Sequence, residues 1–265
     1  MPPPLTTDEN PRMSVLAVIP ARLAATRLPG KPLRLVGGIP LVVRVWERVR
    51  DLGIADRIVV ATDSAQIVSV ARAAGAEAAL TRDDHPSGTD RVAEVAAQDA
   101  YGDATIVLNV QGDEPFVSEA ALRGALGMVR ERGFDLGTSA VPAAPGSRER
   151  PEIVKVVTAD DGRALYFSRA GIPFVRDDSG VGADADLLLQ HVGVYAYTPT
   201  ALARWVSLPE HRLERIERLE QLRPLAAGMA MGVAIVHEVP IRGIDTEEDL
   251  IAANAHWADF LVGRS

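Results

Sequence analysis

Residues 15–32 read VLAVIPARLAATRLPGKP. Val15 to Pro20 is a short apolar run closed by proline, the pattern of a buried strand. The chain then turns polar, and Arg22, Arg27, Gly30 and Lys31 fall in one loop. Pro40 to Leu52 follows with helical spacing, placing Val42, Val45, Trp46 and Val49 on one side, and Pro40 stands where a first-turn proline belongs. The unit recurs. Arg57 to Thr62 and Thr105 to Val110 predict further strands, and Ser64 to Ala74 and Ser118 to Arg132 predict serine-capped helices. Alternating strands and helices predict a mostly parallel sheet covered on both faces, with ligands beyond the strands' carboxyl ends.

From about Ala140 to about Thr200 the rhythm changes. Ile153 to Thr158 and Ala164 to Phe167 predict a hairpin turning at Asp160-Asp161-Gly162, and His191 to Tyr197 a strand. Asp177 to Asp186 predicts a loop. The α/β pattern resumes with a helix from His211 to Ala226, a strand at Val233 to Val236 and a helix from Thr246 to Leu261. The proline-rich first 13 residues are expected to form a disordered tail, with one domain over 14–265.

Composition narrows the partners. The chain has 265 residues, a net charge of −8 and no cysteine. Thiolate metal sites, cysteine nucleophiles and disulfides are excluded, and a cytoplasmic setting is expected. The acidic balance speaks against nucleic acid, and no stretch is apolar enough to enter a membrane. Only two lysines, Lys31 and Lys155, stand among 26 arginines. Where arginine is the default cation, a retained lysine suggests a position that wants a compact ammonium.

Five constellations carry possible chemistry. Arg22, Arg27, Gly30 and Lys31 make a positive loop suited to phosphate, although the G-x-x-x-x-G-K-[ST] spacing is absent; a solvated basic loop fits the pattern equally well. In Asn109-Val110-Gln111-Gly112-Asp113-Glu114-Pro115, an apolar strand runs into an amide and two acids. Asp113 suits magnesium and Gln111 a base or ribose, against the plainer reading of a turn. Thr246 and Asp249 form a variant capping box, which leaves Asp245 as a possible second metal ligand. Thr81 to Arg91 is a weaker candidate nucleotide loop. Glu214 to Arg223 reads most simply as an amphipathic surface helix. The five histidines show no metal spacing, and the three tryptophans are expected in the core.

Taken together, IPARLAATRLPGKPL, TRDDHPSGTDRVAEV, LNVQGDEP, VKVV, ALYFSRAGIPF, HVGVYAY, LERIERLEQLR and GIDTEEDL closely resemble the 3-deoxy-manno-octulosonate cytidylyltransferase family, in the family's order from residue 19 to 250. The resemblance implies a three-layer Rossmann-like α/β nucleotidyltransferase fold with a small β-containing dimerisation arm, and a homodimer. It implies CTP as nucleotide donor, 3-deoxy-D-manno-octulosonate (Kdo) as acceptor and Mg²⁺ as cofactor. Arg22, Lys31, Asp113 and Asp245 match catalytic positions, Asp113 and Asp245 being the metal ligands. Arg22, Lys31, Arg82, Ser87, Gly88 and Gln111 match nucleotide-binding positions. Arg169, His191, Tyr195, Glu214 and Gln221 match the region that grips the sugar acid, with Arg169 expected to fork onto its carboxylate. The chain departs from the family at Ile39, where lysine is usual, and at Gly171, where threonine is usual. The same chemistry on an amino-deoxy analogue and a nucleotide-binding protein without catalysis are the competing readings. A Rossmann dehydrogenase is a weaker one, since G-x-G-x-x-G is missing after the first strand.

Overall fold

A computed structural model describes residues 13–24, 27–176, 188–238 and 241–262. The proposed tail up to residue 12 and the acidic loop at 177–186 lie outside them. Eleven strands are described: β1 (Val15–Ala21), β2 (Leu35–Val36), β3 (Ile39–Pro40), β4 (Arg57–Thr62), β5 (Glu77–Leu80), β6 (Ile106–Asn109), β7 (Leu136–Pro142), β8 (Lys155–Thr158), β9 (Ala164–Ser168), β10 (Leu189–Tyr197) and β11 (Met231–Ile235). The helices are α1 (Leu41–Leu52), α2 (Ala65–Ala73), α3 (Gly88–Ala96), α4 (Glu119–Arg130), α5 (Pro199–Ser207), α6 (Arg212–Glu217), α7 (Leu222–Ala226) and α8 (Glu247–Val262).

The main sheet runs β11-β7-β10-β6-β1-β4-β5, with β8 pairing β10 and β9 extending from β8. The strands β6, β1, β4 and β5 are mutually parallel, as are β7 and β11. Between these blocks β10 runs antiparallel to both neighbours and also carries β8. The parallel expectation thus holds on either side, and the β-rich middle of the chain is spliced into the sheet rather than set apart from it.

Strand residues alternate faces, so β1 serves two cores. Val15, Ala17 and Ile19 face a cluster with residues of α1, α2, α4 and α8. Leu16 and Val18 face a second cluster with Val92 and Val95 of α3, Trp205 of α5 and Leu222 of α7. These are the three layers. Serine hydroxyls start the helices as expected: Ser64 accepts from the Ile67 amide at 3.4 Å and Ser118 from Ala121 at 3.1 Å. Pro40 precedes α1 as its cap residue instead of opening its first turn.

One helix differs from its expected form. The run 211–226 is two short helices, α6 and α7, separated at Arg218, whose φ of 53° is left-handed. Pro224 explains part of this. In a continuous helix its ring would strike the carbonyl of residue 220, whereas near the start of a new helix no amide is missed. The Glu220 carbonyl instead accepts from the Arg223 amide at 3.0 Å.

Candidate active site

The loops after β1 and β6 meet the loop before α8 at the floor of a cleft of about 740 Å³. Glycine permits their close approach. A Cβ at Gly112 would sit 2.5 Å from the Pro20 carbonyl oxygen, and one at Gly243 would sit 3.1 Å from the Asp113 carbonyl oxygen. This apposition brings two carboxylates, 132 positions apart in sequence, to one cation. The Lys31 ammonium donates to Asp113 Oδ2 at 2.6 Å and to Asp245 Oδ1 at 2.9 Å. Burial works against its charge, but Asp113 and then Asp245 hold its pKa above 10.5. Arg27 adds a 3.1 Å contact to Asp245 Oδ2.

Beside the pair stands Glu114, which the sequence reading left without a role. Burial, and then the charges of Asp113 and Asp245, push its carboxyl up to about 8. It is therefore mostly protonated at neutral pH and adds little to the negative charge there. Arg22 and Gln111 also line the cleft, and among the described residues their side chains have no hydrogen-bond partner. Ser87 caps α3 by accepting from the Asp90 amide at 3.4 Å, and Gly88 opens that helix against Pro20.

The other half of the cleft is walled by β10 and the turn after α6. His191 and Tyr195 both line it. Tyr195 and Tyr197 set their rings edge-on to Trp205 at 5.9 and 5.6 Å, and Trp205 is 1% exposed. Removing such an indole would cost about 3–5 kcal/mol. His191 Nε2 lies 2.9 Å from Thr138 Oγ1, and burial pushes the imidazole down to about 3. It is a neutral hydrogen-bonding wall at physiological pH. The Tyr195 hydroxyl has no partner among the described residues, and burial holds its pKa well above 10.

Three of the expected residues are held in ways the sequence did not foresee. Arg169 lines the cleft, but its guanidinium is engaged by main-chain oxygens: Nε donates to Glu217 at 2.7 Å, Nη1 to Pro151 at 3.0 Å and Nη2 to Arg218 at 3.3 Å. A guanidinium has five N–H groups, so two remain for a ligand, fewer than a free fork would offer. Glu214 does not reach the cleft. Its carboxylate is buried, takes Arg223 at 2.5 and 2.8 Å, and closes a capping box on the His211 amide at 3.2 Å. Arg82 is also outside, exposed and paired with Asp84 at 2.8 Å. Ser87, Gly88, Gln111, Asp113, Asp245, Lys31, Arg22, Arg169, His191, Tyr195 and Gln221 share the one cavity. Two residues to which the sequence reading gave no site role join them. Arg218 reaches it because of the left-handed break, and Glu220 accepts from Thr89 Oγ1 at 2.9 Å. Pro224 was the signal that could have found both.

The fold and this cleft go with a match of residues 16–231 to the cytidylyltransferase family model, and the chain belongs to that family. Within that family the chain belongs to the 3-deoxy-manno-octulosonate cytidylyltransferases. It is 59% identical over 245 residues to the protein of that name from Gemmatimonas aurantiaca, covering 92% of this chain and 95% of that one. It also superposes on a solved CMP:2-keto-3-deoxy-manno-octonic acid synthetase complexed with CTP, with TM-score 0.84, 36% identity and coverage of 93% and 99%. A 4-diphosphocytidyl-2C-methyl-D-erythritol synthase from Anaerococcus prevotii shares the fold alone, at TM-score 0.62 and 17% identity over 93% of this chain and 99% of that one.

Proposed function

We propose that this chain transfers CMP from CTP to the anomeric hydroxyl of Kdo, releasing pyrophosphate and giving CMP-Kdo for lipopolysaccharide biosynthesis. The observation that carries the reading is the Lys31 ammonium between Asp113 and Asp245, on the floor of a cleft whose far wall offers Arg169, His191, Tyr195 and Gln221.

The same geometry fits Mg²⁺. Two carboxylates already converge on one cationic centre, and magnesium takes one or two carboxylates with phosphates and water completing its shell. Among the described residues no group of three or more His, Asp or Glu could hold a metal alone. Asp113 and Asp245 would hold it, and when bound it supplies Lewis acidity at the α-phosphate and lowers the pKa of the attacking hydroxyl.

The chain's own groups do the rest. Lys31 exchanges aspartate oxygens for phosphate oxygens and, with Arg22, offsets charge on the departing pyrophosphate. Ser87 and Gly88 border the nucleotide, and the unpartnered Gln111 amide meets base or ribose. The two spare N–H groups of Arg169 take the sugar carboxylate, and Gln221, His191 and the Tyr195 hydroxyl hold the sugar's hydroxyls. Attack is direct, so the protein's contribution is orientation and charge. A homodimer through the 140–200 arm is part of the proposal; Phe174, 84% exposed, and Leu165, 51% exposed, offer apolar surface there. A cytoplasmic site suits a chain without cysteine. No helix of the described residues is long and apolar enough to cross a membrane.

The test is pyrophosphate release across four nucleotides and a panel of sugar acids that includes the amino-deoxy analogue. Release with CTP, Mg²⁺ and Kdo is expected to exceed every other combination. Silence with Kdo in the presence of folded protein would overturn the assignment.

A further inference from the structure

Lys155, the second of the two lysines, takes no part in the chemistry above. It opens β8 and is fully buried. Its ammonium has three N–H groups, and each meets a main-chain oxygen: Arg150 at 2.8 Å, Ile153 at 2.9 Å and Arg169 at 2.8 Å. No carboxylate lies within ion-pair distance of it among the described residues. A buried charge without a counter-ion is unfavourable unless its hydrogen bonds are complete, and here the tripod completes them. A planar guanidinium could not meet three oxygens arranged around one point, which accounts for lysine in an arginine-rich chain.

The three oxygens come from two separate stretches. Arg150 and Ile153 belong to the loop before β8, and Arg169 follows β9. From that point the Arg169 side chain runs outward to Pro151, Glu217 and Arg218, while its amide and the Ser168 hydroxyl meet the Glu217 carboxylate at 2.9 and 2.7 Å. The left-handed turn at Arg218 then delivers Glu220 and Gln221 to the cleft. One ammonium therefore ties a loop to Arg169, and Arg169 ties that loop to the turn.

We propose that Lys155 is a positioning residue for the acceptor half of the cleft: without touching a substrate it fixes Arg169 and, through it, the 217–221 turn. The inference rests on the reading of that half as the sugar site. Its test separates the two. In Lys155→Met, KM for Kdo rises about ten- to hundredfold while KM for CTP stays within about twofold. Amide hydrogen exchange rises in 150–153, 169–171 and 217–221 and stays at the wild-type level in 28–33 and 111–114. The exchange readout needs no substrate, so it tests the clamp even if wild-type enzyme rejects Kdo, a result that would sink only the functional reading. Because the chain has no cysteine, Lys155→Cys alkylated in denaturant with 2-bromoethylamine and refolded restores an ammonium at this one place. It is expected to recover the Kdo KM, and Lys155→Arg is not. Should the methionine variant not fold, Lys155→Gln, which keeps two N–H donors, is measured in the same way. Equal shifts in both KM values, or unchanged exchange in 217–221, would overturn the proposal.

Discussion

The two halves of the cleft are built on different principles. The half proposed for the nucleotide is built from loops that follow parallel strands, where side-chain charges meet directly: Lys31 with Asp113 and Asp245. The half proposed for the acceptor rests on antiparallel strands and a broken helix, where cations hold main-chain oxygens: Lys155 on three carbonyls and Arg169 on three more. The first arrangement leaves charge available to exchange for phosphate oxygens. The second spends charge on shape. Mutations should therefore act on turnover in one half and on affinity or stability in the other.

The contrast is tested most severely at Asp113. Asp113→Ala is expected to lower kcat/KM by about 10³-fold with little change in thermal midpoint, since only the charged floor is lost. A folded variant with wild-type rate would erase the distinction. Glu214→Ala should do the reverse. It leaves Arg223 buried without its partner, so stability falls by about 3 kcal/mol in urea titration while the KM for Kdo of the folded fraction stays near wild type. A large rise in that KM with stability intact would return Glu214 to the sugar site.

His191 sharpens the comparison through pH. Its folded pKa, near 3, lies below the ordinary 6.5, so the unfolded chain binds the extra proton between those values. Stability from this residue is present above pH 6.5 and declines by up to about 1.4 kcal/mol per unit as pH falls through that window. Urea midpoints at pH 7 and pH 5 should diverge less in His191→Gln than in the parent; equal divergence would contradict a neutral wall. The smallest effect is expected at Arg82→Ala, with no measurable shift of the urea midpoint because the pair with Asp84 is exposed. A large rise in the KM for CTP would place Arg82 in the nucleotide half after all.

The same difference governs what the sequence disclosed. The nucleotide half is written in short contiguous runs, a strand followed by the residues its end displays, so PARLAATRLPGKP and NVQGDEP already point to Lys31 and Asp113. Asp245 emerged as what a local capping box leaves over, and the box itself forms: Thr246 Oγ1 accepts from the Asp249 amide at 3.1 Å and Asp249 Oδ2 from the Thr246 amide at 2.9 Å. The acceptor half depends on pairings that no local pattern encodes. The insertion of β10 between β6 and β7, the Glu214–Arg223 pair inside what periodicity predicts as one surface helix, and the occupation of Arg169 by carbonyls all arise from tertiary contact. Strand β7, sequence LGTSAVP, lacks the apolar run that marks β1 and β4. Resemblance supplied most of the sugar-side residues, and it carried Glu214 and Arg82 along with them.

Gly112 and Gly243 set the tolerance of the whole device. At Gly112 the space that a methyl group would fill holds the Pro20 carbonyl, and at Gly243 it holds the Glu114 carboxyl with the Asp113 carbonyl close behind. The close approach of the two loops thus depends on side chains that are missing, most strictly at Gly112, where the neighbour is backbone. A search for altered chemistry would find adjustable positions around Arg169 and the 217–221 turn, where contacts are made by long side chains that can be shortened or exchanged. At the floor it would find little clearance at Gly112, and variation there would register first as loss of the Asp113–Lys31–Asp245 arrangement.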